Sequence, residues 1–388
     1  MGIRIGTGLS THSDARAGAM EAASTAHAAL GGRQCDVAIV FASGAHLAAP
    51  EATLEGIHAS LEPDVVVGCA AGGVIAESRE VEGGTAVSVW TASLDGGEAT
   101  PFHAQVEAIG EGEGVLSGLP ELHGADGAVL LADPFTFPAE PVLRGLSESS
   151  PMVPLLGGLA SGRSPEDQTP LFLGEDVVTE GAVGVRFDGV EILPCVSHGA
   201  APIGPELTIT AAEGSVIGEL AGRPALEKLR ETIESLPVED LRLVQSGLLM
   251  GIVIEANKPE YVQGDFLVRG LVGADPDTGQ VAVGTPVRPG QVVRLHARDA
   301  RSADRDLREA LEARMAALGG RVPAGALLFS CNGRGRGMFG HDHHDASALE
   351  HVLGGAPAAG FFAAGEIGPV GGQYFLHAYT ATLAVFAP

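Results

Sequence analysis

The sequence predicts an α/β protein in two domains of layered sheets and helices, with an internal pseudo-repeat in the first domain and a mixed α+β second half. Three observations carry that reading. At 388 residues the chain exceeds what one ordinary core organises, so two domains are the default. Short unbroken apolar runs, the mark of strands buried on both faces, alternate with helix-spaced segments. One strand–helix–strand–loop–strand block also occurs twice, at about 36–90 and 126–186. The domains are set at 1–200 and 201–388.

The first block opens after an alanine-rich, helix-prone segment from Thr11 to Leu30, which Ser13 or Asp14 can cap and Gly31–Gly32 stops. Val37 to Phe41 reads as a buried strand. Leu54, Ile57, His58 and Leu61 follow at helical spacing, with His58 read as a packed residue. Val65 to Val67 is the next strand, leading into Gly68, Cys69 and a small-residue loop through Gly73. Ala86 to Trp90 closes the block. The second copy begins at Asp126 with AVLLADP, continues through a helix around Pro138 to Leu146, and places Gly157, Ala160 and Gly162 on Gly68, Ala71 and Gly73. Its closing strand is Ala182 to Val185. Strand–helix–strand units of this kind make right-handed parallel crossovers the expected topology.

Residues 192–209 are punctuated by Pro194, Pro202 and Pro205 and suit a linker or a domain crossing. A helix carrying Leu226, Leu229, Ile233 and Leu236 follows Pro224. Short strands are expected at 248–254, 266–271 and 292–295. Asp304 to Leu318 is the clearest helix, its apolar stripe being core packing. Toward the C-terminus come the run 326–329, a short helix from Asp345 (its N-cap) to Leu353, the run 358–364, the loop GEIGPVGG and one long strand from Gln373 to Phe386.

Composition excludes several functions. Net charge is −26, and Lys228 and Lys258 are the only lysines, so phosphate backbones and anionic headgroups are repelled; neither nucleic acid nor membrane insertion is expected. Cys35, Cys69, Cys195 and Cys331 lie far apart without a CxxC pair, and no secretory or bilayer-length apolar run occurs. A cytoplasmic protein with reduced thiols follows. GxxxxGK[ST], GxGxxG, GxSxG and HExxH are all absent, which argues against P-loop, Rossmann, elbow-type hydrolase and zincin chemistry. No cofactor is implied.

The stretch LLFSCNGRGRGMFG (Leu327 to Gly340) is the best candidate for chemistry. A buried strand ends in Ser330, Cys331 and Asn332 and opens into a loop where Gly333, Gly335 and Gly337 alternate with Arg334 and Arg336. A second tight loop presents Gly365 and Glu366. A zwitterionic ligand would need a planar donor for its carboxylate, which Arg334 or Arg269 can supply, and an acceptor such as Glu366 for its amine. Asn332 and the N–H groups around Gly333 would complete the orientation. Two alternatives stay open. Cys331 with His377 as base would make a thiol-dependent hydrolase or transferase; His341, His343 and His344 could contribute to a metal site, although the spacing fits a solvated loop better.

FSCNGRG (329–335), GFFAAGEIGP (360–369) and LHAYTATL (376–383), in this order, resemble the C-terminal domain of the FIST family, named for F-box and intracellular signal transduction. FLVRGLVGADP (266–276) resembles it too, while VAIVFASG, VVVGCAAGG and GGLASG resemble the N-terminal FIST domain. The resemblance runs from about residue 20 to residue 385. It implies a small-ligand sensory protein, with an amino acid as one expected ligand, and a non-enzymatic role. Ala70 and Val74 stand where the family loop often carries serine and glutamate. No kinase, cyclase, chemotaxis or F-box segment is attached, so the output is expected from a separate signalling protein; a plain interaction scaffold is the third reading.

Overall fold

Central strands of the larger unit, such as Val37–Ser43 and Gly325–Cys331, are buried along their whole length, because helices or other sheets cover both faces. The computed structural model describes residues 2–110, 113–245, 247–256 and 258–388. They are organised as two compact units that do not follow each other along the chain: Met1–Val196 joins Leu307–Leu376 and Ala381–Pro388, and Ser197–Asp306 joins His377–Thr380. The fold is mixed α/β, as the sequence predicts.

The larger unit contains three sheets. In the first, β1 (Arg4–Ser10), β6 (Ala86–Ser93), β2 (Val37–Ser43) and β3 (Val65–Ala70) lie side by side, with α1 (Ala15–Leu30) and α2 (Pro50–Leu61) on the outer face. In the second, β9 (Gly127–Ala132) runs parallel to β10 (Leu155–Leu159) and antiparallel to β13 (Ala182–Asp188), beyond which lie β7 (Glu98–Gly110) and β8 (Glu113–Ser117); α3 (Ala139–Ser149) covers it. In the third, β22 (Gly325–Cys331) runs parallel to β23 (Ala358–Ala363) and antiparallel to β26 (Thr380–Phe386), with β14 (Ile192–His198) at the edge. The later turns of α6 (Ala300–Ala317) and α8 (His344–Val352) cover that sheet.

The repeat thus occurs three times, where the sequence reading found two. Each copy has a parallel strand pair, and Val40↔Gly68, Leu130↔Gly157 and Leu328↔Gly360 occupy the same register position in it. Each copy also sends a hairpin to a neighbour. β4 (Val74–Ala76) and β5 (Arg79–Val81) extend the third sheet beside β23; β11 (Leu171–Leu173) and β12 (Asp176–Val178) extend the first beside β3; β24 (Glu366–Val370) and β25 (Gln373–His377) extend the second beside β10. The exchange puts Ile75, Phe172 and Ile367 opposite Gly360, Gly68 and Gly157. The inner faces share one core, in which Phe41 stacks on Phe361 at 4.9 Å and Trp90 meets Phe386 at the same separation.

In the smaller unit the order β15 (Ala200–Glu213), β21 (Val292–Arg298), β18 (Leu248–Val253), β19 (Phe266–Ala274), β20 (Val281–Val283), β16 (Val216–Leu220) closes through a β15–β16 pairing. A two-residue strand, β17 (Arg223–Pro224), adds to β16, and α4 (Ala225–Glu234) and α5 (Val238–Val244) follow. That pairing joins the two ends of the sheet into a ring.

Several expectations are corrected here. The proline-punctuated stretch 192–209 does carry the crossing from one unit to the other, between Val196 and Ser197, but as the strands β14 and β15 and not as a linker: Pro194 sits on an edge strand, and Pro205 falls within the bulge between Ile203 and Glu206, where a missing N–H costs no ladder bond. The long final strand breaks into β25 and β26, with Tyr379 at a φ of 63° between them. Asp345 does not cap its helix. His343, at a φ of 65°, holds the N-cap position without a side-chain cap bond, while Asp345 faces inward.

Candidate functional site

The opening loop follows from the end of β22. Arg334 N–H turns back to donate to the Cys331 carbonyl (2.8 Å), and the short helix α7 (Arg336–Phe339) starts after Gly335, whose φ is 69°. The positive φ favours glycine at this point, and a side chain there would also have to displace the Glu82 carboxylate. Glu82 Oε1 in turn accepts the Arg336 N–H at 2.7 Å.

Arg334 points inward and is only 2% exposed. Its Nε and Nη2 donate to the two Asp345 oxygens at 2.7 and 2.8 Å, a bidentate pair with both side chains fully buried. Ser330 Oγ donates to Asp345 Oδ2 (2.8 Å), and His344 Nδ1 lies 2.9 Å from Oδ1. The Phe339 ring stacks on the His344 ring and faces the guanidinium, 5.2 Å from the Arg334 Cζ. Burial alone would raise the Asp345 carboxyl; the Arg334 charge and these hydrogen bonds overcome it and hold the group well below the usual carboxylate range.

Glu80, on the exchanged hairpin, completes the cluster from the far side. Its Oε1 accepts Ala346 N–H at the start of α8 (2.9 Å), its own N–H donates to His343 Nδ1 (3.0 Å), and its Oε2 is buried without a hydrogen bond. Burial pushes the Glu80 carboxyl up to about 7, and the negative charge of Asp345 acts in the same sense. A carboxyl raised in the folded state holds a proton that the unfolded chain has released. Its contribution is therefore fully present below about pH 4.5 and is lost as pH rises toward 7. The span of that loss is on the order of 3 kcal/mol. Urea unfolding should show stability falling between pH 5 and 8 in the parent. Glu80→Gln, which cannot ionise, should remove most of that slope, and an unchanged slope would rule the group out.

Of the residues singled out from sequence, Cys331, Asn332, Gly333, Arg334, Gly365 and Glu366 lie in the larger unit, and Arg269 and His377 in the smaller. Within the larger unit the two loops meet through backbone bonds. Asn332 N–H donates to Ala363 O (2.9 Å), Leu159 N–H to Gly365 O (2.8 Å), and Ala364 N–H to Leu159 O (3.0 Å). Glu366 is fully buried opposite Gly158. Glu366 and Cys331 both act electrostatically on Arg334, favouring its charged form after the larger effects of burial and Asp345. Gly333 N–H donates to Cys331 Sγ at 3.4 Å. Asn332 is exposed.

In the smaller unit, Arg269 is buried and donates to the Val268 carbonyl at 3.1 Å. The His377 ring lies edge-on to that of His198 at 5.9 Å. Among the described residues, no group of three or more His, Cys, Asp or Glu side chains is placed to hold a metal ion. His343 and His344 are engaged with Glu80 and Asp345 instead.

The expectation that Arg334 offers a ligand its planar fork needs revision, because two of its nitrogens are already committed to Asp345. Nη1 alone stays buried without a hydrogen-bond partner. The sequence reading does not single out Glu80, and it gives Asp345, Ser330 and His344 other roles: a helix cap, a strand end and a metal-ligand alternative. The spacing of Asp345 to Ala348 and Leu349, both buried, puts it on the apolar face of α8 and was the readable signal. Nothing local marks Glu80, whose partners are more than 260 residues away.

The FIST N domain model matches residues 36–223, and the FIST C domain model matches 225–369. This protein belongs to the FIST family. FIST domains are associated with sensory roles in signal transduction and suggest small-ligand sensing. Curated relatives of this FIST protein include Uncharacterized protein Rv0628c of Mycobacterium tuberculosis, 44% identical over 384 residues, covering 99% of this chain and 100% of the relative. Uncharacterized protein Mb0898c of Mycobacterium bovis is 42% identical over 384 residues, covering 99% of each. Among the described residues of the FIST chain, no helix is long and apolar enough to cross a membrane.

Proposed function

We propose that this FIST protein is a cytoplasmic sensor of a small zwitterionic metabolite, an amino acid or a close analogue, held where the Cys331–Arg334 and Gly365–Glu366 loops meet. The observation that carries the reading is the Nη1 of Arg334, buried without a hydrogen-bond partner while Glu366 and Cys331 lie within its electrostatic reach. An unused charged donor in a low-dielectric setting is costly unless something accepts from it. A ligand carboxylate supplies that acceptor, Glu366 supplies a counter-charge for the amine, and the exposed Asn332 can orient either group. Because Asp345 fixes the guanidinium, the ligand meets a donor already locked in place. Arg269 and His377 are not part of this proposed site. The output passes to a separate signalling protein.

A thermal-shift screen of amino acids and related metabolites tests the reading, since ligand that binds only the folded state raises the melting temperature. At least one zwitterion should raise it, and its amine-only and carboxylate-only analogues should not. Glu366→Gln and Asn332→Ala should weaken binding of the same compound at least about tenfold, roughly 1.4 kcal/mol or more, while staying folded. No shift from any zwitterion, or a Glu366→Gln variant that binds as the parent does, would defeat the proposal.

A further inference from the structure

The long hairpin β7–β8 projects beside α3, and a groove of about 800 Å³ runs between them. Its walls include Leu116 on the hairpin, Phe135 and Phe137 on the connecting loop, and Val142, Gly145 and Leu146 on the helix. Among the described residues, no ionisable side chain lines it, in a chain that carries 49 acidic and 23 basic residues. We propose that this groove is a second ligand site, separate from the loop cluster above, that takes a neutral, apolar small molecule with an aryl or long alkyl body.

Three features support that occupant. The volume lies within the range of roughly 300–1,000 Å³ typical of small-molecule pockets, and the lining is apolar with few polar groups, such as Thr136 and Ser149. Second, Gly145 stands in the interior of α3, where glycine suits a helix poorly, and an added Cβ there would touch nothing within 4 Å. Neither a close approach nor a positive φ calls for glycine at that point. What the missing side chain does is keep the groove open. Third, Phe135 is 66% exposed yet braced, with the Arg163 guanidinium 4.2 Å from its ring centroid, so the rim presents a fixed aromatic edge. Prolines at 134, 138 and 141 stiffen the same side. Exposed side chains of both signs flank the groove, Glu107 and Glu148 as well as Arg144 and Arg163, so it is the uncharged described lining that disfavours an anionic head such as a fatty-acid carboxylate.

The test uses the full chain and the neutral fluorophore N-phenyl-1-naphthylamine. Its emission should rise saturably at one site per chain, and dodecanol should displace it at least about tenfold more effectively than dodecanoate. Gly145→Leu, which fills the groove from an exposed position, should weaken binding about tenfold or more with the circular dichroism spectrum unchanged, and Val142→Glu should do the same by placing a charge on the wall. Glu366→Gln should leave the probe affinity unchanged. Absence of saturable binding, equal binding by Gly145→Leu and Val142→Glu, or equal displacement by dodecanoate would overturn the proposal. So would sedimentation showing that the parent is a dimer which Gly145→Leu dissociates, since a second copy would then be the occupant.

Discussion

Asp345→Ala is expected to destabilise the protein by about 3–5 kcal/mol in urea unfolding at neutral pH, the largest effect of any side-chain truncation in the loop cluster. Asp345 accepts from Arg334 Nε, Arg334 Nη2 and Ser330 Oγ, with His344 Nδ1 also at hydrogen-bond distance, and both members of the ion pair are wholly buried. Its removal leaves the guanidinium as an uncompensated buried charge, and that charge cannot escape by losing its proton. Asp345→Asn keeps an acceptor but loses the charge, so its cost should be smaller yet still exceed about 1 kcal/mol. The double variant Arg334→Met/Asp345→Leu should recover much of the loss, because a buried pair replaced by apolar side chains of similar volume is often neutral in stability. The effect should also persist at 1 M salt, where a surface pair would be screened. A loss under about 1 kcal/mol for Asp345→Ala would mean that water reaches the pair. If the double variant proved stable but no longer gave a metabolite-induced shift, the ion pair would serve the site and not the fold.

Much of the fold was readable because buried strands write themselves as unbroken apolar runs. Val37 to Phe41 and Ala326 to Phe329 both lie where such runs predict strands. The same logic located two copies of the repeat, since Gly68, Ala71 and Gly73 recur as Gly157, Ala160 and Gly162. The third copy, Gly360, Ala363 and Gly365, was present in the sequence but was assigned to another domain. A contiguous reading cannot anticipate that residues 197–306 form a unit of their own between parts of the larger one. Hairpin exchange was equally hidden: β4 with β23, and β24 with β10, are pairings over more than 200 residues that no local pattern encodes. At the candidate site the loops were legible from their glycines, but the burial of charge was not. From sequence Arg334 reads as a donor for a ligand and Asp345 as a helix cap, and only the fold shows that they satisfy each other.

Gly360→Ala should prevent folding or cost at least about 3 kcal/mol, more than most overpacking substitutions, because the obstacle is main chain and not a movable side chain. A Cβ on Gly360 would sit 1.7 Å from the Leu328 carbonyl oxygen; on Gly157, 1.9 Å from that of Leu130; and on Gly68, 2.1 Å from that of Val40. In each copy the clash falls between two parallel strands, at the position faced from the other side by the hairpin of a neighbouring copy. Moving the strand to make room would disturb the ladder and the exchanged hairpin together. Alanine at Gly68 and Gly157 should therefore cost a comparable amount, with Gly157 further constrained by its φ of 149°. Gly145→Ala is the control: its Cβ meets nothing within 4 Å, so it should stabilise α3 by about 1 kcal/mol or leave it unchanged. Denaturant unfolding of the four variants decides the matter. If Gly68→Ala, Gly157→Ala and Gly360→Ala all unfold like Gly145→Ala, the close approach of the paired strands does not govern this fold. If only one is severe, the three copies are alike in topology but not in packing, and the hairpin opposite the severe position is the one that holds the larger unit together.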